Sequence, residues 1–203
     1  MYNSGFECSV IDGSELKYEN EKLEIPIQFS YMKNLPPVLN QGVDPICVPC
    51  AISAWCEYKL ALLSGINKNC KFRLFDIFNS RTTKGEGMTC KEAFKHVINL
   101  GAKYKDGIIH ASKYFMVNNI YALRNAILNN GPCIAALAVY DTTADEFWKK
   151  TGDLQGYHAV AVIGYDPNGF IIRNSWGDSY GHDGYAYIKN EDMQRAEEIW
   201  TLI

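Results

Sequence analysis

The spacing of apolar positions divides the chain into a helical first half and a strand-rich second half. From Cys47 to about Leu63, apolar residues recur at three- and four-residue steps, as on the buried face of a helix. Shorter helices are predicted over 72–81, over 90–100 with Thr89 as N-cap, and over 121–128. β-Branched and aromatic residues between turn residues predict strands over 133–140, 158–165, 170–174 and 185–188. This segregation predicts an α+β fold of two packed lobes with a cleft between them.

The first thirty residues show no sustained hydrophobic period, and we expect residues 1–30 to form an arm along the surface. Two consecutive prolines, Pro36 and Pro37, then exclude a helix before the turn that precedes Cys47. We expect one domain over residues 31–203, with a helical lobe over about 47–118 and a β lobe over about 119–203.

Composition narrows the class of protein. The 203 residues are 47% hydrophobic and 21% charged, which fits one globular domain. A net charge of -3 without a basic stripe argues against a nucleic-acid partner. No apolar run approaches the roughly 20 residues that cross a bilayer, so we expect no membrane partner. The N-terminal residues do not resemble a secretory signal, and seven cysteines is an odd number, so we expect free thiols and a cytoplasmic location.

Two residues lie at positions that suit a cysteine nucleophile and its general base. Cys47 lies where a turn enters a helix, and the helix dipole and a neighbouring imidazolium would favour its thiolate. His158 opens an apolar strand, which would hold its backbone rigid while the imidazole faces a lobe interface. The histidines at 96 and 110 and the cysteines at 56, 70, 90 and 133 are interpreted as structural.

Three segments occur together in one order: Gln41-Gly-Val-Asp-Pro-Ile-Cys47, Tyr157-His-Ala-Val-Ala-Val-Ile-Gly-Tyr165 and Asn174-Ser-Trp-Gly177. They resemble the cysteine, histidine and asparagine motifs of the papain-like cysteine peptidases. The resemblance covers roughly residues 26–190. The segment Leu35–Gln41 and the residues that follow Cys47 look more similar to the bacterial and phage branch than to plant or lysosomal members.

This resemblance implies a papain-like two-lobed fold, with a long central helix in the first lobe, an antiparallel sheet in the second and the active site in the cleft. It implies hydrolysis of protein or peptide substrates without a metal or cofactor. By the same resemblance, Cys47 is the nucleophile, His158 the base, Asn174 the group that orients the imidazole, and Gln41 an oxyanion donor together with the backbone N–H of Cys47. The substrate-binding residues that the resemblance suggests are Gly87, Met88, Gly156, Ala159 and Trp176, and Trp176 would also shield the bond between His158 and Asn174.

Several positions depart from the family pattern. Pro45 and Ile46 replace the usual small residues before the nucleophile, and Val48 replaces the usual aromatic residue after it. Asp44 stands where the family commonly has a cysteine, so the usual disulfide cannot form there. The arm is too short for a typical inhibitory propeptide.

Two other functions fit parts of the sequence. Cys47-Val-Pro-Cys50 is a C-x-x-C motif at a helix start, as in a thiol-disulfide oxidoreductase, although no buried strand precedes it. Alternatively, the chain is a catalytically silent relative that binds peptides in its cleft or is a structural component of a larger particle.

Overall fold

The computed structural model describes residues 5–19, 24–65 and 70–203. Within these ranges the helices are α1 (Cys47–Ser64), α2 (Leu74–Phe78), α3 (Cys90–Asn99), α4 (Ile120–Asn130) and α5 (Asn190–Met193). The strands are β1 (Phe29–Ser30), β2 (Ala102–Tyr104), β3 (Gly107–Ile109), β4 (Tyr114–Met116), β5 (Cys133–Val139), β6 (Gly156–Tyr165), β7 (Gly169–Arg173), β8 (Tyr185–Lys189) and β9 (Glu198–Leu202).

Seven of these strands form one antiparallel sheet in the order β4-β9-β5-β6-β7-β8, with β1 added to the end of β6. The register pairs Ala161 of β6 with Arg173 of β7. His158 lies three residues before Ala161, and Asn174 lies one residue after Arg173, so both are at the same end of this strand pair. The predicted α+β class with an antiparallel sheet is confirmed.

Helix α1 lies between the sheet and the smaller helices, and this position explains why it is apolar around most of its circumference. The fully buried Trp55 donates from Nε1 to the carbonyl oxygens of Asn130 and Leu202, at 3.2 and 3.1 Å. The helix ends at Gly65, whose φ of 79° lies in the left-handed region that favours glycine. The buried contacts of α1 therefore hold its first turn in a fixed position.

Two of the differences between the predicted and the observed elements change the helical lobe. Helix α2 is only five residues long, because Phe72 pairs with Tyr104 in an isolated bridge before the helix begins. Strand β4 lies inside the range assigned to the helical lobe, yet it pairs with β9, a strand that the sequence analysis did not predict. The sheet therefore begins before residue 119.

The N-terminal arm is only partly on the surface. Val10 is 80% exposed, as expected, but Phe6 is 5% exposed and pairs through its backbone with Met88. The expectation of a surface arm is wrong for Gly5, Phe6 and Ser9, because a buried aromatic side chain and strand-like hydrogen bonds hold them in the cleft. Cys8, between them, is exposed. No helix in the described parts of the chain is long and apolar enough to span a membrane.

Candidate active site

The first turn of α1 presents a cysteine at the end of a long helix. Cys47 is the first helical residue and is fully buried. The N-cap residue Ile46 offers no side-chain hydrogen bond, and the first N–H groups of a helix have no acceptor within the helix. The backbone N–H of Cys47 is thus beside its own sulfur and outside the helix ladder.

Strands β6 and β7 bring a histidine and an asparagine together. His158 Nε2 lies 2.7 Å from Asn174 Oδ1, and both residues are buried. The backbone N–H of Ser175 also donates to Asn174 Oδ1, at 2.8 Å, and fixes the amide. The other ring nitrogen of His158, Nδ1, is buried and has no hydrogen-bond partner among the described residues. The imidazole is therefore oriented at one nitrogen, and the other remains for chemistry.

The sulfur of Cys47 lies at the same end of β6. Burial raises the pKa of the Cys47 thiol to about 11, and hydrogen bonds with the backbones of Ala159 and Gly5 partly oppose this effect. Ala159 directly follows His158 in β6. Helix α1 and strand β6 thus place the thiol next to the residue that carries the imidazole.

Aromatic rings enclose the imidazole. The ring of Trp176 stacks on His158 with centroids 4.6 Å apart, and Phe147 meets it edge-on at 5.4 Å. Burial lowers the pKa of His158 to about 4, and the bond to Asn174 opposes this only in part. With the pKa of Cys47 raised as well, both groups are uncharged at neutral pH in this arrangement, rather than forming a thiolate and an imidazolium.

The loop before α1 is hydrogen-bonded to the segment after β7. Gln41 N donates to Ser175 O at 2.8 Å, and Asn40 pairs with Trp176 in an antiparallel bridge. Ser175 Oγ donates to Gln41 Oε1 at 2.5 Å. The other end of the Gln41 amide, Nε2, faces the turn and donates to Asp44 O at 2.9 Å. The side-chain amide of Gln41 is therefore fixed between the asparagine segment and the start of α1.

A buried ion pair that sequence analysis missed joins these elements. Arg173 Nη1 lies 2.7 Å from Glu57 Oε2, and its other terminal nitrogen donates to Pro37 O at 2.8 Å. This arginine connects α1, β7 and the segment before Gln41. The signal for it in the sequence is a charged residue inside an apolar strand, directly before Asn174.

The N-terminal arm occupies the cleft beside Cys47. Met88 N donates to Gly5 O at 2.9 Å, and Glu7 N donates to Met88 O at 3.1 Å. A Cβ at Gly87 would lie 2.6 Å from Gly5 O, and one at Gly5 would lie 2.1 Å from Pro45 O. Both positions therefore require glycine for this close approach.

Further contacts continue the arm away from Cys47. The Phe6 ring packs edge-on against Tyr157 with centroids 6.2 Å apart, and Ser9 N donates to the buried carboxylate of Glu198. Lys91 donates to Val10 O at 2.6 Å and forms an ion pair with Glu15. The arm is thus held at several points after Gly5, the residue whose backbone contacts Cys47.

The remaining predicted binding residues lie around the same cleft. Gly156 begins β6 with a φ of 143°, and Ala159 is buried against Cys47. Gly87 and Met88 form the edge on which the arm lies, and Trp176 covers His158. In the part of the chain that the structure describes, no cluster of three or more His, Cys, Asp or Glu side chains could hold a metal ion.

The low pKa of His158 predicts how stability depends on pH. Unfolding restores the ordinary pKa of 6.5, so the unfolded chain takes up a proton that the folded chain refuses until about pH 4. The contribution of His158 to the stability of the folded state is therefore complete above pH 6.5 and is lost as the pH falls towards 4. We expect this one group to lower the free energy of unfolding by about 3 kcal/mol over that range.

Urea unfolding at several pH values measures this contribution. The variant His158→Gln should lose the corresponding part of the slope between pH 6.5 and 4. His110→Gln, which changes an exposed imidazole, serves as the control and should keep the slope. An unchanged slope in His158→Gln would contradict the assignment.

The family model of the papain family cysteine proteases matches residues 67–199, a range that holds His158 and Asn174 but not Gln41 or Cys47. Cathepsin B-like cysteine proteinase 3 of Ostertagia ostertagi is 32% identical over 120 residues, which cover 55% of this chain and 66% of that protein. Cathepsin B-like cysteine proteinase 1 of Haemonchus contortus is 32% identical over 108 residues, which cover 49% of this chain and 30% of that protein.

Solved structures share the fold over nearly the whole chain. Xylellain, a cysteine protease from Xylella fastidiosa, superposes with a TM-score of 0.81 at 19% identity and covers 98% of this chain and 94% of its own. Procathepsin L2 of Tenebrio molitor larval midgut gives a TM-score of 0.77 at 19% identity, covering 99% of this chain and 78% of its own. These likenesses confirm the papain-like two-lobed fold.

The curated relatives come mostly from eukaryotes, so they do not support the predicted bacterial or phage branch. The alignments span between about a third and two thirds of the two nematode relatives described above. The family model, in contrast, covers more than half of this chain and includes both β6 and β7. The chain belongs to the papain family of cysteine proteases.

Proposed function

We propose that this chain is a cysteine endopeptidase that hydrolyses internal peptide bonds of protein or peptide substrates through an acyl-enzyme intermediate. One observation carries the proposal: the bond of 2.7 Å between His158 Nε2 and Asn174 Oδ1, at the end of β6 that also holds the thiol of Cys47. This arrangement provides a nucleophile, a base and a group that orients the base.

In this mechanism the sulfur of Cys47 attacks the substrate carbonyl while Nδ1 of His158 holds the thiol proton. The imidazolium then gives the proton to the departing amine, and a water molecule that His158 deprotonates releases the acyl group. Asn174 keeps the ring in position through Nε2. Trp176, stacked on the ring, excludes water from the bond between His158 and Asn174.

Two donors would stabilise the oxyanion. They are the backbone N–H of Cys47, which the helix leaves unused, and the side-chain amide of Gln41, which Ser175 holds at its oxygen end. Loss of one such donor typically costs about 2.7–4 kcal/mol of barrier. We assign the backbone of Met88 to the substrate, because the arm already uses its N–H and C=O in a strand-like pairing. Gly87, Gly156 and Ala159 would line the same groove.

In this proposal the described state is latent. Residues 5–9 occupy the backbone positions at Met88 that a substrate needs, and Cys47 and His158 are both fully buried. Catalysis therefore requires displacement of the arm. Opening would also return water to the pair, which lowers the pKa of Cys47 and raises that of His158 towards the charged pair that attacks substrate.

Two alternatives are weaker on the geometry. An oxidoreductase C-x-x-C motif normally follows a buried strand, whereas α1 follows the turn that contains Asp44. A silent relative, whether a peptide binder or part of a larger particle, would have no use for an imidazole bonded to a buried asparagine beside a thiol. We also propose a reducing, cytoplasmic location, because all seven cysteines are free.

A peptide library tests the proposed activity. The full chain and the variant Phe6→Ala are incubated with a denatured protein and mixed synthetic peptides, and mass spectrometry identifies the new N-termini. We expect cuts at internal bonds, faster for the variant, and complete inhibition by iodoacetamide. Absence of cleavage by both proteins, with peptide binding retained, would favour the silent alternative.

A further inference from the structure

A second buried thiol lies one helical turn beyond Cys47. Cys50 is 5% exposed and is the fourth residue of α1. Residues three apart in a helix have Cα atoms about 5 Å apart, which lies within the range of about 4.4–6.8 Å that a disulfide spans. The proposed hydrolysis makes no use of this thiol.

The two cysteines share a neighbour in β6. Cys50, Ala159 and Asn174 line a small cavity of about 10 Å³, and the thiol of Cys47 contacts the backbone of Ala159. Ala159 of β6 is therefore a common neighbour of the two cysteines.

The sequence between them suits a bond within the first turn. Pro49 has no N–H and tolerates the first turn of a helix, where such a group would lack an acceptor. Pro49 therefore costs the helix no backbone hydrogen bond between the two cysteines. All seven cysteines are free in the described state.

We propose that Cys50 is a resolving cysteine, which converts an oxidised Cys47 into a reversible Cys47–Cys50 disulfide and so switches the site off. Hydrogen peroxide is the oxidant. Once the arm is displaced and water reaches Cys47, its sulfur attacks one peroxide oxygen, the O–O bond breaks, and a sulfenic acid and one water form. The sulfur of Cys50 then displaces the hydroxyl group, loses its proton and releases a second water.

The disulfide would protect the site as well as stop it. A sulfenic acid without a nearby thiol is oxidised further to sulfinic acid, which thiol reductants do not reverse. With Cys50 in place, a dithiol restores both free cysteines. Inhibition by peroxide is therefore expected to be fully reversible in the natural chain and permanent in Cys50→Ser.

Peptide mapping tests the bond independently of any hydrolysis. The full chain and Phe6→Ala, whose arm is loosened, are treated with equimolar peroxide, alkylated with iodoacetamide and digested with trypsin. Cleavage after Lys33 and Lys59 yields one peptide that contains Cys47, Cys50 and Cys56. We expect this peptide to be lighter by two hydrogens and labelled only at Cys56.

Matched variants identify the partner. Cys56→Ser, on the same helix, should leave the bond unchanged. Cys50→Ser should abolish the bond at equimolar peroxide and, with two or more equivalents of peroxide, accumulate sulfinic acid at Cys47. Cys90, a third buried thiol near Cys47, is the competing partner, and Cys90→Ser should also leave the bond unchanged. A Cys47–Cys90 bond, or no bond in either the full chain or Phe6→Ala, would overturn the inference. If the bond forms while no substrate is cleaved, the proposed function fails and this inference stands.

Discussion

Replacement of Cys47 by alanine should abolish peptide hydrolysis, with a loss in kcat of at least about 10⁴-fold. The variant removes the sulfur of Cys47, which lies at the start of α1 and next to the backbone of Ala159. The measurement is the rate of cleavage of a peptide identified from the library, in the Phe6→Ala background so that the arm does not limit the rate.

Cys56→Ala provides the matched control, because Cys56 is equally buried and lies on the same helix. It should keep its kcat within a few-fold of the parent while losing stability. Turnover by Cys47→Ala at the parent rate would falsify the nucleophile assignment. Equal losses in the two variants would instead point to a structural effect of any truncation in α1.

Truncation of the arm's aromatic anchor should have the largest activating effect. Phe6 is buried against Tyr157 and Met88, and removal of a buried phenylalanine side chain typically costs about 3 kcal/mol or more. Because this cost falls on the state in which the arm is seated, Phe6→Ala should raise the open population, and hence kcat/KM, by about 100-fold. Progress curves on the same peptide measure the change.

Val10→Ala is the control within the arm, since Val10 is 80% exposed and should leave kcat/KM unchanged. A synthetic peptide with the sequence of residues 5–9 should inhibit Phe6→Ala competitively, because it can re-form the pairing with Met88. If Phe6→Ala and the natural chain hydrolyse the peptide equally fast, the arm does not limit access to Cys47.

Local patterns were sufficient to predict the elements that carry the site. The apolar face of α1 and the continuous apolar strand β6 are strong periodic signals, and they locate Cys47 and His158 at element ends. The resemblance supplied Asn174 and Gln41. Strand register then explains why positions so distant in sequence meet.

Other features depend on contacts that no local pattern encodes. The arm has little hydrophobic periodicity because it binds mainly by backbone hydrogen bonds, an ion pair between Glu15 and Lys91 and scattered side chains such as the buried Phe6. Strand β9 is short and buried on both faces, so its sequence does not alternate. The neutral state of the thiol and imidazole follows from total burial, a property of the assembled fold and of the arm that covers it.

The arm belongs to the same polypeptide as the groove that it fills at Met88. Its binding there is intramolecular and therefore does not depend on the protein concentration. A tethered ligand experiences an effective concentration that short flexible linkers place in the millimolar range. Lowering the protein concentration leaves the occupancy of the groove by Gly5 and Glu7 unchanged. A free peptide that competes for Met88 must therefore approach that range, whereas cutting the chain beyond residue 9 converts the arm into an ordinary ligand that dilution removes.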